Sequence, residues 1–478
     1  MEFVPVIGLE VHAQLLTATK LFCGCSTEFG SPPNHHTCPV CLGMPGVLPV
    51  LNRRVVELAA RTGLALGCAV RPLSLFARKN YFYPDLPKGY QISQYELPLC
   101  EDGALAIDTA GGEKSIRIKR IHIEEDAGKN VHEGGDESSR VDYNRSGVPL
   151  IEIVSEPDLG SPEEASEYLK TLRDLIVALG VSNGNMEEGS FRCDANVSVR
   201  PVGESKLGTR TELKNINSFK FVREALDYEI KRQIALICAG DKVVQETRLY
   251  DPDKRRTDSM RSKEEAHDYR YFPEPDLLPL KIDKAFVDKI RGTLPELPRA
   301  RLERFQREYG LVREDAKALT ADVDRAVGDF FEAVAAKYSD AKKLANWFRG
   351  ELFRALKDGE ARMDDLKISA EAFSALLGLV DRGEISGQAA KEVFAALLKS
   401  GGDPAAVIEA RGLRQISDVG ATEKTVDEVI AKHPEEAARY KGGKKQLLAF
   451  FTGQVMRAMK GKGNPAIVND IIKKKLGG

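Results

Sequence analysis

No charge-free apolar run among the 478 residues approaches the roughly 18 that a membrane-crossing helix needs, which argues against a helical span. The opening residues, Met1-Glu2-Phe3-Val4-Pro5, lack the basic start and apolar core of a secretory signal, so a cytoplasmic protein is expected. There is no G-x4-G-K-[ST] run, so any nucleotide is held by something other than a P-loop. Internal repeats and low-complexity tracts are also missing. What remains is a chain 42% hydrophobic and 30% charged, able to bury sizeable cores in roughly two to four domains. The formal net charge of -2 hides an asymmetry: residues 439–478 hold ten Lys or Arg against one acidic residue, Asp470. Such a basic end suits a polyanionic partner.

Four of the eight cysteines form Cys23-Gly24-Cys25 and, twelve residues on, Cys38-Pro39-Val40-Cys41. In a chain without a secretory signal this spacing favours a tetrahedral structural zinc knuckle over disulfides, with His35 and His36 as spare ligands. The competing reading is a redox or reduced cluster. Cys68, Cys100, Cys193 and Cys238 are scattered and read as buried reduced thiols.

Residues 1–294 are rich in Gly, Pro and alternating strands, whereas from about residue 298 Ala-rich amphipathic helices follow one another. Leu294-Pro295-Glu296-Leu297-Pro298 reads as the linker, and breaks at Gly310, Gly359, Gly383 and Gly401-Gly402-Asp403-Pro404 divide the helices. The expected domains are 1–294, 295–404 and 405–478. One helix in the first part is well signalled, with Ser161 as N-cap, Pro162 at the first position, Glu164 completing a capping box and Gly180 past its end.

The strands of the first part carry ligand-type residues where solvent-facing Lys, Thr or Ser would be usual. In residues 142–158 a loop with Asp142, Asn144, Arg145 and Ser146 feeds through Gly147 and Pro149 into a strand with Leu150, Glu152, Val154 and Glu156 on one face. Residues 6–15 oppose Glu10, His12 and Gln14 to Ile7, Leu9, Val11 and Ala13. Residues 191–200 oppose Arg192, Asp194 and Asn196 to Phe191, Cys193 and Ala195, which makes Cys193 core rather than nucleophile. Residues 116–125 alternate and then slip, predicting a bulge near Arg120 that re-aims His122, Glu124 or Glu125. With Glu10, His12 and Glu152 these acids could hold magnesium or manganese. The plainer alternative pairs each acid with a nearby arginine. Residues 78–94 add Lys79 and Lys88 for phosphate and Tyr81 and Tyr83 for stacking, and residues 208–218 read as a strand with Arg210, Glu212 and Lys214 on one face.

These motifs resemble, in order, those of the B subunit of the bacterial or organellar aspartyl/glutamyl-tRNA amidotransferase. The matching blocks are Ile7-Gly8-Leu9-Glu10-Val11-His12, residues 78–94, 142–158, 188–198 and 208–218, and Ser259-Met260-Arg261-Ser262-Lys263 through Asp268-Tyr269-Arg270-Tyr271-Phe272-Pro273-Glu274-Pro275-Asp276. Essentially the whole chain is covered, and the synthetase-like insert of the archaeal glutaminyl-tRNA relative is missing. The resemblance implies an α+β cradle domain with an antiparallel, glutamine synthetase-like sheet, then a helical domain, then a small helical YqeY-like tail seen in Tyr440-Lys441-Gly442-Gly443-Lys444-Lys445-Gln446.

It also implies an ATP-dependent carbon–nitrogen ligase with glutamine as amido donor. The side-chain carboxylate of mischarged Glu-tRNA(Gln) or Asp-tRNA(Asn) is phosphorylated, and ammonia channelled from an amidase A subunit displaces the phosphate, with a small C subunit bracing the pair and a mischarging synthetase supplying substrate. By this resemblance Glu10, His12, Glu125, Glu152 and Asp194 hold the divalent cations. Lys79, Arg145 and Lys214 steady phosphates, while Tyr81, Tyr83 and Ser155 line the nucleotide or aminoacyl-adenosine pocket. Cys23, Cys25, Cys38 and Cys41 hold zinc beneath the site, and Lys441, Lys444, Lys445, Arg457, Lys460 and Lys462 grip tRNA backbone. A small-molecule carboxylate ligase and a non-catalytic tRNA-binding scaffold are the alternatives.

Overall fold

Alternation of apolar and polar residues produces the strand Phe3–Gln14, which buries Ile7, Leu9, Val11 and Ala13 and turns Glu10, His12 and Gln14 to the opposite face. In this computed structural model, which describes residues 2–131, 139–260, 269–321, 325–415, 419–459 and 463–477, that strand is the middle of a nine-stranded sheet. From edge to edge the order is Arg256–Ser259, Thr247–Asp251, Thr211–Lys214, Phe191–Pro201, Phe3–Gln14, Pro149–Ser155, Gly112–Glu125, Cys100–Thr109 and Ala69–Val70. Neighbours run antiparallel except Thr211–Lys214 and Thr247–Asp251, which are parallel.

One face of the sheet is apolar and is covered by helices Arg53–Ala65, Pro162–Ala178 and Phe219–Cys238. Their Leu58, Leu172 and Leu226 join Ile7, Val11, Ile121, Ile153 and Val197 in one core. Helix Pro162–Ala178 starts as its signals require: Ser161 Oγ accepts from Glu164 N at 3.1 Å, and Glu164 Oε2 reaches back one residue further than in a standard box, accepting from Gly160 N at 2.7 Å. Cys68, Cys100 and Cys193 are buried in this layer. Cys238 corrects the expectation, because it ends helix Phe219–Cys238 five positions past Gln233, the last residue of the buried stripe Val222, Leu226, Ile230 and Gln233, and is exposed.

The other face is set by register. His122, Glu152, His12 and Arg192 stand in one row across four strands, with Val154, Glu10 and Asp194 in the next row and Glu124, Leu150 and Gln14 on the other side. The bulge lies where the alternation slips: Val154 faces Arg120 but Ser155 faces Ile118, so Lys119 is the extra residue. Ile116 and Ile118 before it, and Ile121 and Ile123 after it, are thereby all buried. The strand read in residues 208–218 is confined to Thr211–Lys214, and Arg210 lies outside it, exposed.

The chain divides into two units, Met1–Pro298 and Arg299–Gly478. The second is helical, and its helices end at the glycines noted above: Pro298–Tyr309 before Gly310, Ala370–Asp381 before Gly383 and Gly387–Ser400 before Gly401. It holds two apolar cores, one centred on Phe331, Phe348, Phe373 and Phe394, the other on Val426, Phe451, Val455 and Ile472. Among the described residues no helix is long and apolar enough to cross a membrane.

Candidate active site

The polar face of the sheet gathers two imidazoles and two carboxylates. His12 Nε2 lies 3.5 Å from Glu124 Oε1 and 3.4 Å from Glu152 Oε2, and His122 Nε2 lies 3.7 Å from Glu124 Oε2 and 3.2 Å from the same Glu152 oxygen. All four side chains are buried or nearly so. Ligand atoms of His12, Glu124 and Glu152 fall within 4.8 Å of one another, a donor set of one nitrogen and two carboxylate oxygens that fits a divalent cation such as magnesium or manganese.

Electrostatics here are arranged around positive charge. Burial alone would lower His122, but the Glu152 and Glu124 carboxylates outweigh it, and the imidazole is pushed up to about 9. His12 is raised in the same way. Burial should raise Glu152, yet its two histidine partners hold it well below the usual carboxylate range. Glu10, one row away, moves oppositely: burial raises it first, then the neighbouring Glu152, Glu212 and Asp194 carboxylates. Asn196 Nδ2 donates to Glu10 at 3.0 Å, and Lys214 bridges Asp194 at 2.5 Å and Glu212 at 3.1 Å.

A second, three-stranded sheet of Phe272–Pro273, Ala77–Asn80 and Tyr90–Ser93 supplies the wall. Burial works against the Lys79 charge, but Glu124 and Glu152 maintain it, and the ammonium stands 4.9 Å from the Tyr269 ring centre and 5.9 Å from that of Tyr81. Tyr95 stacks on Tyr271 at 4.3 Å, and Phe82 and Tyr83 project into solvent. Arg78 clamps the wall by a two-pronged pair to buried Glu274 at 2.7 and 2.9 Å.

The structure brings together Glu10, His12, Glu152, Asp194, Lys79, Lys214 and Tyr81, while Tyr83 projects into solvent and Glu125, Ser155 and Arg145 stand elsewhere. Glu125 has the strand parity of Ile121 and Ile123, so it points to the opposite side, pairs with Lys88 and accepts from Ile92 N at 2.9 Å; Glu124 takes the place expected for it. Beyond Glu125 lies a cavity of about 100 Å³ bounded by Lys20, Cys41, Lys88 and Gly147. Ser155 is buried with the core, where its Oγ accepts from Leu9 N at 2.9 Å beside the bulge. The Arg145 guanidinium is taken up by the carbonyls of Ala127 at 2.9 Å and Gly128 at 2.7 Å, and so braces a turn. Glu124 and His122, which the slip in alternation leaves open beside Glu125, join the site together with Glu212 and the buried Asp126, which receives Arg192 at 2.9 and 3.1 Å and Gln14 Nε2 at 2.8 Å.

Below this face, the four sulfurs of Cys23, Cys25, Cys38 and Cys41 lie within 4.8 Å of one another. A tetrahedral zinc with Zn–S near 2.3 Å spaces its sulfurs by about 3.8 Å, so this donor set fits the metal. The Cys41 thiol is lowered to about 4, chiefly by the hydrogen bond from Cys23, against burial and with help from Cys38 N–H and Lys20. The knuckle is laced to the loop before strand Pro149–Ser155. His36 N donates to Asn144 Oδ1 at 2.8 Å, Tyr143 N to Asn34 Oδ1 at 2.8 Å, and Leu21 N to Gly147 O at 2.9 Å. Gly147 has φ 83°, a conformation costly for other residues, and a Cβ there would already touch Cys41 Cβ and Lys20 Cδ at 3.5 Å.

Residues 5–288 match the GatB/GatE catalytic domain, and residues 329–476 match the GatB domain. Along all of its length the chain is 60% identical to the B subunit of the aspartyl/glutamyl-tRNA(Asn/Gln) amidotransferase of Myxococcus xanthus, covering 99% of that protein. The corresponding proteins of Anaeromyxobacter sp. strain K and Solidesulfovibrio magneticus are 60% and 57% identical, each again covered to 99%. The chain belongs to the GatB family.

Within this GatB chain the helical unit carries the basic residues. Lys441, Lys444, Lys445 and Arg457 are exposed, with Lys445 Nζ 4.9 Å from the Tyr440 ring, whereas Lys475 is neutralised by Glu423 and Asp427. Lys460 and Lys462 lie outside the described residues. The His12–Glu124–Glu152 cluster makes a direct prediction. Glu124→Gln is expected to weaken Mn2+ binding, read by electron paramagnetic resonance, by at least about tenfold. Glu125→Gln, on the opposite side of its strand, is expected to leave that affinity close to wild type.

Proposed function

We propose that this chain is the phosphorylating subunit of a glutamine-dependent tRNA amidotransferase of the cytoplasm. On this reading a side-chain carboxylate oxygen of Glu-tRNA(Gln) or Asp-tRNA(Asn) attacks the γ-phosphorus of ATP and ADP leaves; ammonia then attacks the acyl carbon and phosphate leaves. The observation that carries it is the His12–Glu124–Glu152 cluster beside the charged Lys79, all on rigid strands. When bound there, Mg2+ or Mn2+ supplies neutralising charge for the transferring phosphoryl group. Lys79 adds a fixed cation on the wall side, and Lys214 adds another beside Asp194 and Glu212. Tyr81 and Tyr269 flank Lys79 and keep water from its ammonium, and exposed Tyr83 offers a ring on which a base can stack. An amidase A subunit and a small C subunit complete the enzyme, and the mischarging synthetases of the cell set which tRNA arrives.

The chemistry predicts an acyl phosphate that accumulates when ammonia is withheld. Incubating the assembled enzyme with ATP and mischarged tRNA but no glutamine should yield ADP and, with hydroxylamine, a side-chain hydroxamate of Glu or Asp, distinct from the α-hydroxamate that the tRNA ester itself gives; ADP without the side-chain hydroxamate contradicts the reading. In the tail, residues 405–478, the exposed lysines are assigned to tRNA backbone. Changing Lys441, Lys444 and Lys445 together to Ala is expected to weaken tRNA binding and to flatten the dependence of log K on log salt by about two. An unchanged slope would return these residues to solvent.

A further inference from the structure

Among the described residues Lys20 is the one lysine in the set of largest fully buried side chains, at 0% exposure, and its surroundings are unusual for an ammonium. It reaches three acceptors: His36 O at 2.7 Å, Tyr143 O at 3.3 Å and Cys41 Sγ at 3.6 Å. None of the three is a carboxylate. A buried charge without a counter-charge is expensive, and two carbonyl dipoles do not replace an anion. The sulfur cluster supplies the missing charge, since four thiolates around Zn2+ leave a formal charge of about −2 in a site that excludes water.

We propose that Lys20 is the counter-ion of the metal-thiolate knuckle and the strut that transmits its position to the active-site loop. The proposal rests on the reading that Cys23, Cys25, Cys38 and Cys41 bind zinc. Lys20 N donates to Cys25 O at 3.0 Å, at the base of the loop that carries Cys23 and Cys25, while one side-chain donor faces a ligand sulfur, one the segment between the two cysteine pairs, and one Tyr143. Tyr143 is two residues before Arg145, whose guanidinium holds the Ala127 and Gly128 carbonyls, immediately after the strand that presents Glu124. Hydrogen bonds and the short backbone segments between them thus join the knuckle to the end of a ligand-bearing strand. Lys20 is a positioning residue, acting through the metal centre and the loop, and touches no substrate.

The test uses the full chain with zinc as probe. Zinc content of the wild type is measured first, and a wild type that binds no zinc overturns both the knuckle and this proposal. With zinc present, Lys20→Gln keeps hydrogen-bonding capacity but removes charge, and is expected to lower zinc affinity in chelator competition about 10–100-fold. Lys20→Arg should recover much of it. Zinc affinity of Lys20→Gln equal to wild type overturns the Lys20 assignment and leaves the knuckle standing. If the variant does not fold, the wild type still decides. Lys20 should resist a lysine-acylating reagent, read by peptide mass spectrometry, when zinc is bound and become labelled once zinc is stripped. Equal protection in both states overturns the proposal.

Discussion

Glu152→Gln is expected to cut tRNA-dependent ADP formation by the assembled enzyme by about 10³-fold while leaving the fold intact. Glu152 is the residue that both histidines of the cluster share, at 3.4 and 3.2 Å, and it is a candidate cation ligand. Gln keeps the volume and one acceptor but removes the charge that holds His122 up near 9 and that balances a cation. Part of the loss should appear as weaker Mn2+ binding, and saturating metal should recover only that part. Circular dichroism and thermal melting establish that the variant is folded. Near-normal turnover in a folded Glu152→Gln protein would move the chemistry away from this sheet face.

The second large effect concerns stability. Asp126→Ala is expected to destabilise the first unit by about 3–5 kcal/mol, because it strips a buried, two-pronged partner from Arg192 and leaves that guanidinium with Gly189 O alone. The pH dependence follows from the direction of the Asp126 shift. Burial alone would raise this carboxyl, but Arg192 and Arg145 hold it below its ordinary 3.8, so its stabilising contribution is complete above about that pH and disappears as pH falls through the lower folded value. Chemical denaturation should therefore show the largest deficit of Asp126→Ala near neutrality, shrinking below about pH 3.8. A deficit that does not change with acidification would mean that the pair contributes packing rather than charge.

Much of this architecture was legible in the residues. Strict alternation in residues 6–15 and 191–200 placed Glu10, His12, Arg192 and Asp194 on one face, and the slip near Arg120 was readable as a bulge. The choice between Glu124 and Glu125 was also open to the same parity: once Ile121 and Ile123 are assigned to the core, His122 and Glu124 must share the polar face, and Glu125 must leave it. Ser155 and Arg145 illustrate what periodicity cannot supply. The first is consumed by the backbone N–H of Leu9, just past the point where the ladder between its strand and Pro149–Ser155 stops at Glu10 and Val154, and the second by two carbonyls of a turn, contacts that depend on distant segments meeting. Lys20 is invisible in the same way, since nothing in its neighbourhood along the chain distinguishes it from a solvent lysine.

On the account proposed above, the His12–Glu124–Glu152 face performs an ATP-dependent activation of a tRNA-borne carboxylate. The most direct measurement is ADP release by this chain assembled with candidate amidase and small subunits, comparing Glu-tRNA(Gln) or Asp-tRNA(Asn) with correctly charged Gln-tRNA(Gln) or Asn-tRNA(Asn), in wild type and Glu152→Gln. ADP formed only with the mischarged tRNAs, and lost in the variant, is the predicted result. ADP formation indifferent to the tRNA, or undiminished in a folded Glu152→Gln enzyme, would contradict it.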